Sequence, residues 1–551
     1  MQPTPIELSQ SVPLGNASVP EDSGAESLAL SRAILGHGLL LGVAADLLLR
    51  EFSAGIAFPL WIGILGIAMT SVTRRAGRGV PREAAGWLLT AVLFSAGLAW
   101  RDSGVLQRLD VLATLGALAM AAIALGNSRA ALLAERFRDT VWAAAALARA
   151  MAVGFLPIAL REIFETDVRE GWAPRARPVL RSILIAGSLL VVFGSLLRGA
   201  DPIFASLVEL PQFDLRLLVS HGLVIGFFCW LVSGWTRGAL GSDLRKRRAP
   251  ETLPFGLSLL DITTALGTLN LLFAAFVAAQ LGWFFGGETF LHARTGLTAA
   301  EYARQGFFEM VWVVMLVVPL LVATRAVLRP GRALERRHTL LSVPVIILLG
   351  AIILSAVTRM QLYVHYYGLT VDRFYPLVFM AWLGVVLVWL ALTVLRGRGR
   401  TFIAGVAISG LVVLAALNVV APDARVARFN IDRAARVPRP DGSELDLRHM
   451  AQLSAEAAAL ATHATLATPT AAEGTPLRAA DDQQRCYAAQ RLLRRWGPTS
   501  TSAARRSVDA AWRFWNAGEA GAIRVVGEHS AELRTAQHAA CARVPRGERA
   551  K

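Results

Sequence analysis

The chain has 551 residues, 54% of them hydrophobic and only 17% charged, with a mean hydropathy of +0.49. Those proportions exclude a soluble globular domain and define a multipass membrane protein. The formal charge of +16 is mostly arginine spread over short loops, with lysine only at Lys246 and Lys551, so it encodes topology and excludes a nucleic-acid partner.

In chain order, residues 1–28 carry Glu7, Glu21, Asp22 and Glu26 without a basic residue, and read as a disordered cytoplasmic tail. Apolar runs follow at about 33–49, 54–72, 84–100, 111–125, 180–197, 215–235, 255–285, 306–327, 340–358, 375–395 and 402–420. Eleven runs of this length predict an all-α polytopic bundle of about 11 spans over residues 29–421. One alternating set of loops holds Arg74, Arg75, Arg78 and Arg82, the eight arginines of 129–177, Arg237 with Arg245 to Arg248, and the arginines of 329–337 and 396–400. It carries a threefold excess of arginine and lysine over the other set, which predicts a cytoplasmic N-terminus and an extracytoplasmic C-terminus. Within the long loop, residues 141–160 are apolar apart from Arg149. They read as a cytoplasmic amphipathic insert near 128–178, because a crossing there would invert the arginine bias of every later loop.

Beyond residue 421 the hydropathy collapses. Residues 422–551 show helical patterns around 445–461, 477–496, 503–516 and 522–541, and predict a small extracytoplasmic α-helical domain with Trp496, Trp512 and Trp515 as core seeds. Cys486 and Cys541 both fall in this domain, where a disulfide persists. Cys229 lies in a span and reads as a buried small hydrophobe.

Between two apolar runs lies a polar and aromatic island, residues 359–376, holding four of the chain's 6 tyrosines. If the preceding helix continues through His365, then Arg359, Tyr363, Tyr366 and Tyr367 share a face. Gly368 suits the cap of that helix, Thr370 the start of the next, and Asp372 its positive first turn. An interfacial aromatic belt and a functional site explain this composition equally well.

Three segments, EYARQGFFEM (301–310), RMQLYVHYYGLTVDRFY (359–375) and NVVAPDARVARFNIDRA (418–434), occur in order. Together they resemble the bacterial multipass proteins of the domain of unknown function 4173/4153 group. The resemblance implies a bacterial inner-membrane location and brings no activity, cofactor or catalytic residue. The predicted topology puts all three segments at the outer leaflet, where ionisable groups need a partner or a water-filled cavity. The candidate binding cluster is therefore Arg304, Glu309, Arg359, Tyr363, Tyr366, Tyr367, Asp372 and Arg373, with Glu309 nearest the bilayer interior and Arg304 or Arg359 as its ion partner.

Neither lysine follows a glycine, and the chain contains no HExxH, CxxC or GxSxG, so it lacks the phosphate loop, zinc-protease motif and serine-hydrolase elbow. No catalytic residue, metal set or cofactor is assigned, and the expected partners are the lipid bilayer and an envelope protein on the C-terminal domain. A non-enzymatic scaffold or sensor stands first, nearly level with a transporter or channel. A membrane enzyme on lipid-linked substrates comes third.

Overall fold

The computed structural model describes residues 22–50, 55–126, 137–156, 215–240, 257–295, 307–328, 331–397, 401–436, 445–467, 476–500 and 511–544, and scattered positions within 182–197. The described chain is helical, with one isolated bridge, Leu257 with Leu328. The membrane region comprises α1 (Asp22–Leu49), α2 (Ala57–Arg75), α3 (Arg82–Trp100), α4 (Gly104–Gly126), α5 (Phe137–Val153), α6 (Leu215–Leu240), α7 (Leu259–Thr295), α8 (Phe307–Ala326), α9 (Arg332–Tyr367), α10 (Val371–Thr393) and α11 (Phe402–Val420). The C-terminal region comprises α12 (Pro422–Ala434), α13 (Leu447–Met450), α14 (Ala458–Ala467), α15 (Pro476–Trp496), α16 (Ala517–Glu528) and α17 (Ser530–Arg543), with 3-10 turns at Ala455–Ala457 and Ala511–Phe514.

Ten helices are long and apolar enough to cross a membrane: α1 to α4 and α6 to α11. They coincide with ten of the expected runs, and the eleventh, 180–197, lies mostly outside the described residues. One boundary differs from expectation. Helix α1 begins at Asp22, inside the expected tail, so residues 22–28 continue the helix ahead of its apolar stretch. Helix α9 continues past Thr358 to Tyr367 and stops at Gly368, whose φ of 79° and backbone bond to the Val364 carbonyl form the expected cap.

The chain divides into two compact units. In one (Met1–Val43, Ala68–Gly79 and Ala150–Arg237), α1 meets α6 through small residues. A Cβ at Gly42 would lie 2.5 Å from the Ile225 carbonyl oxygen, and one at Gly38 would collide with the Ser233 hydroxyl. The Gly38 to Gly42 spacing thus sets a close backbone approach.

The other unit (Ala44–Ile67, Val80–Arg149 and Gly238–Lys551) holds both membrane helices and the C-terminal region, so the expected boundary at 421/422 is not a boundary of packing. Helices α7 to α10 share a core around Leu266, Leu321, Leu349, Ile352, Met380 and Leu390. Asn270 donates to the Leu341 carbonyl near the starts of α7 and α9, and Gln280 meets Ser355 and Arg359 farther along both, so these helices run parallel. Thr324 at the end of α8 contacts His338 near the start of α9, so α8 runs antiparallel to them. Helices α3 and α4 form a hairpin tied to α11 by Asn418, which donates to Asp110 at 2.8 Å beneath Gly97.

The C-terminal helices build their own core around Met450, Leu492, Trp496, Val526 and Leu533, and it takes in Val364 and Leu369 from the α9–α10 turn. Trp496 seeds this core as expected. Trp512 and Trp515 do not, being about half exposed, because the 3-10 turn that carries them lies against the α1–α2 connection. Cys486 and Cys541 form a disulfide between α15 and α17, with Cα atoms 5.0 Å apart.

Gly42→Leu is expected to lower stability by about 1–3 kcal/mol, the usual result of overpacking against backbone. Gly36→Leu, on the same helix with open space around its Cα, should have little effect. Equal melting temperatures of both variants in detergent would contradict the packing assigned to α1.

Candidate functional site

A helix leaves its last four carbonyls without intrahelical partners and carries partial negative charge there. Helices α1, α3, α9 and α11 end at one level of the second unit, and side chains from elsewhere meet each end. Arg513 donates to the Leu47 carbonyl at 2.5 Å. Asn516 donates through one amide nitrogen to the Leu98 and Arg101 carbonyls, both at 2.8 Å. Arg433 reaches the His365 and Tyr366 carbonyls at 2.9 Å. Arg101, lying over the Trp100 ring, donates to the Asn418 carbonyl at 2.7 Å and the Val419 carbonyl at 3.4 Å. Three of these four donors belong to the C-terminal region, which thus forms a capping plate over the helix ends.

Carboxylates from both regions secure the plate. Asp102 accepts the Ala455 N–H and pairs with Arg495, both at 3.0 Å, while its own N–H donates to Glu456 at 2.6 Å. Asp423 accepts the Ser454 N–H at 3.0 Å. The Ala455–Ala457 turn is therefore held by acids at its N-terminal end, as the helix dipole favours. The Arg495 side chain is 34% exposed, so its ion pair contributes about 0–1 kcal/mol. Asn516 is 2% exposed and its loss would remove the donor to the buried Leu98 carbonyl, at about 1–3 kcal/mol, while the Arg101 carbonyl keeps its bond from the Gln107 amide.

The predicted cluster divides into two groups. At the α9–α10 turn, Arg373 lies 4.2 Å over the Tyr363 ring and donates to the Gly368 carbonyl, and Tyr363 packs 5.0 Å from Tyr367. Asn430 of α12 grips the same turn, accepting the Leu369 N–H at 2.9 Å and donating to the Leu369 carbonyl at 2.7 Å. A Cβ at Gly368 would sit 2.7 Å from the Asn430 oxygen. Asp372 occupies the first turn of α10, and Tyr366 is exposed. Eight positions before the end of α9, about 12 Å deeper, Arg359 is only 6% exposed and donates to Gln280, which also accepts from Ser355. Glu309 is exposed in the first turn of α8 and lines the same cavity. Of the two charges, Arg359 is the buried one and Glu309 the exposed one. Arg304 lies outside the described residues.

Sequence patterns missed Asp102, Glu456, Arg495, Arg513 and Asn516, which are single polar residues without spacing. Asn430 and Arg433 were visible in the third motif but without a role. Gln280, an amide inside an apolar run, was an intramembrane signal of the same kind as Asp110, Asn270 and Asn418.

These features define a polytopic helical membrane protein whose polar C-terminal region is fastened to the ends of its membrane helices. The chain belongs to the family described as Domain of unknown function (DUF4153), whose model matches residues 88–463. The match covers Asp102, Asn430, Arg433 and Glu456 and stops before Arg495, Arg513 and Asn516. Neither a curated protein nor a solved structure matches the chain.

Burial pushes the Asp102 carboxyl up to about 6, against the pull of Arg495 and the Ala455 N–H. The folded protein then holds a proton that the unfolded chain releases near 3.8. This contribution to stability is complete below the lower value and is lost as pH rises through the higher one. Thermal unfolding from about pH 4 to pH 7 is expected to weaken more steeply in the wild type than in Asp102→Asn, and equal slopes would contradict the assignment. Asn516→Ala should lower stability by about 1–3 kcal/mol at every pH, as read by chemical or thermal unfolding in detergent.

Proposed function

We propose that this protein is a non-enzymatic scaffold or sensor of the bacterial inner membrane. In this reading it has eleven spans, a cytoplasmic N-terminus and an extracytoplasmic C-terminal domain. The observation that carries it is the capping plate, which couples three helix ends to one domain by backbone-directed bonds, as a rigid platform for an envelope partner requires. The cavity beside Arg359, Gln280 and Glu309 is the site we assign for whatever the platform senses.

Parity of direction supports the span count. Helix α4 starts at the plate, beside Asp102, and therefore ends at the far side. Helix α7 runs parallel to α9, which ends at the plate, so α7 starts at the far side. The connection between α4 and α7 needs an even number of crossings. Helix α6 supplies one and the run at 180–197 the second, leaving the 17-residue α5 in the cytoplasm. The far ends also carry Arg82, Arg332, Arg336, Arg337 and Arg396, which favours that side as cytoplasmic.

Alkaline phosphatase fused after Ala205 or after Lys551 is expected to be active, and fused after Asn127 or Gly241 inactive. An inactive fusion at Ala205 would overturn the eleven-span topology, and an inactive one at Lys551 the extracytoplasmic domain.

A further inference from the structure

The cavity at Arg359 measures about 530 Å³, within the roughly 300–1,000 Å³ of small-molecule sites. Its walls are apolar along Leu272, Phe273, Phe276 and Val313, and its polar groups are confined to Gln280, Arg359 and Glu309. Gln280 is 6% exposed, its oxygen is occupied by Ser355 and Arg359, and its Nε2 donor has no acceptor among the described residues. A buried donor left in this state calls for an oxygen that the described residues do not supply. Such an oxygen would lie beside a guanidinium, which selects an anionic one. Glu309, exposed in the first turn of α8, adds a carboxylate and leaves room for a cation at the rim.

Depth narrows the choice. Helix α8 runs from this cavity to its far end in 20 residues, about 30 Å, one hydrocarbon thickness. Glu309 and Arg359 therefore stand at the level of lipid headgroups, with the apolar walls below them.

We propose that this cavity binds a glycerophospholipid with an amine headgroup. Its phosphodiester oxygens meet Gln280 Nε2 and Arg359, its ammonium faces Glu309, and one acyl chain lies along Leu272, Phe273 and Phe276. The proposal rests on reading this cavity as the sensing site of the scaffold, and it stands or falls independently of the topology tested by the fusions.

The test uses the full-length protein in detergent, with binding read by native mass spectrometry and by thermal shift. The probes are phosphatidylethanolamine, phosphatidylcholine, phosphatidylglycerol and water-soluble phosphoethanolamine. Phosphatidylethanolamine is expected to bind best and phosphoethanolamine alone not to stabilise the protein. Gln280→Leu should weaken phosphatidylethanolamine about tenfold, the loss of one bond to a charged group, and Glu309→Gln should bring it level with phosphatidylcholine. Ala279→Trp, which fills the cavity from an exposed position on α7, should abolish binding while the fold persists, and so serves if Gln280→Leu does not fold. Equal binding of all lipids to wild type and Ala279→Trp would reduce the effect to annular lipid and overturn the proposal. Full stabilisation by phosphoethanolamine would overturn it too, as a soluble-anion site.

Discussion

Four membrane helices end at one level, each with carbonyls that have no partner in their own helix, and the placement of the C-terminal region follows from meeting them. Arg513, Asn516 and Arg433 reach down to three of these ends, and Arg101 crosses from α3 to the fourth. Cations at helix C-termini are favoured by about 0.3–2 kcal/mol each, and several on one plate fix its orientation more firmly than a single ion pair.

The plate explains why two of the three motifs behave as a unit. Gly368 can take its positive φ without a side chain, and the space so freed is filled by the Asn430 amide, which reads both polar groups of Leu369. Arg433, one turn along α12, caps the same helix. At the α9–α10 turn the tyrosine-rich island is thus mainly a structural clasp, with Arg373 stacked on Tyr363, and the lipid site we propose lies at Arg359, eight positions before the end of α9.

The bundle was legible because apolar runs of bilayer length have few other uses. The cap at Gly368 was legible because a positive φ favours glycine, and Thr370 stands at the expected start of α10, though its side chain makes no capping bond there. Docking was not. Asp102 follows Trp100 and Arg101 with nothing to separate it from an ordinary loop acid, and its partners Ala455, Glu456 and Arg495 lie more than 350 positions away. Trp512 and Trp515 looked like core by composition, yet their turn is held open on the α1–α2 connection through the bond between Ile56 and the Trp515 carbonyl. Long-range pairing of single polar residues leaves no periodic trace, so such contacts emerge only from the fold.

The most direct measurement of the capping plate is hydrogen–deuterium exchange at the amides of Leu369, Ser454 and Ala455 in the full-length protein, comparing wild type with Asn430→Ala and Asp102→Ala. The amides should be protected in the wild type. Asn430→Ala should release Leu369, and Asp102→Ala should release Ala455, while protection in α15 and α17 is retained. Free exchange at all three amides in the wild type, with α15 and α17 still protected, would show a C-terminal domain that is folded but not fastened to the membrane helices.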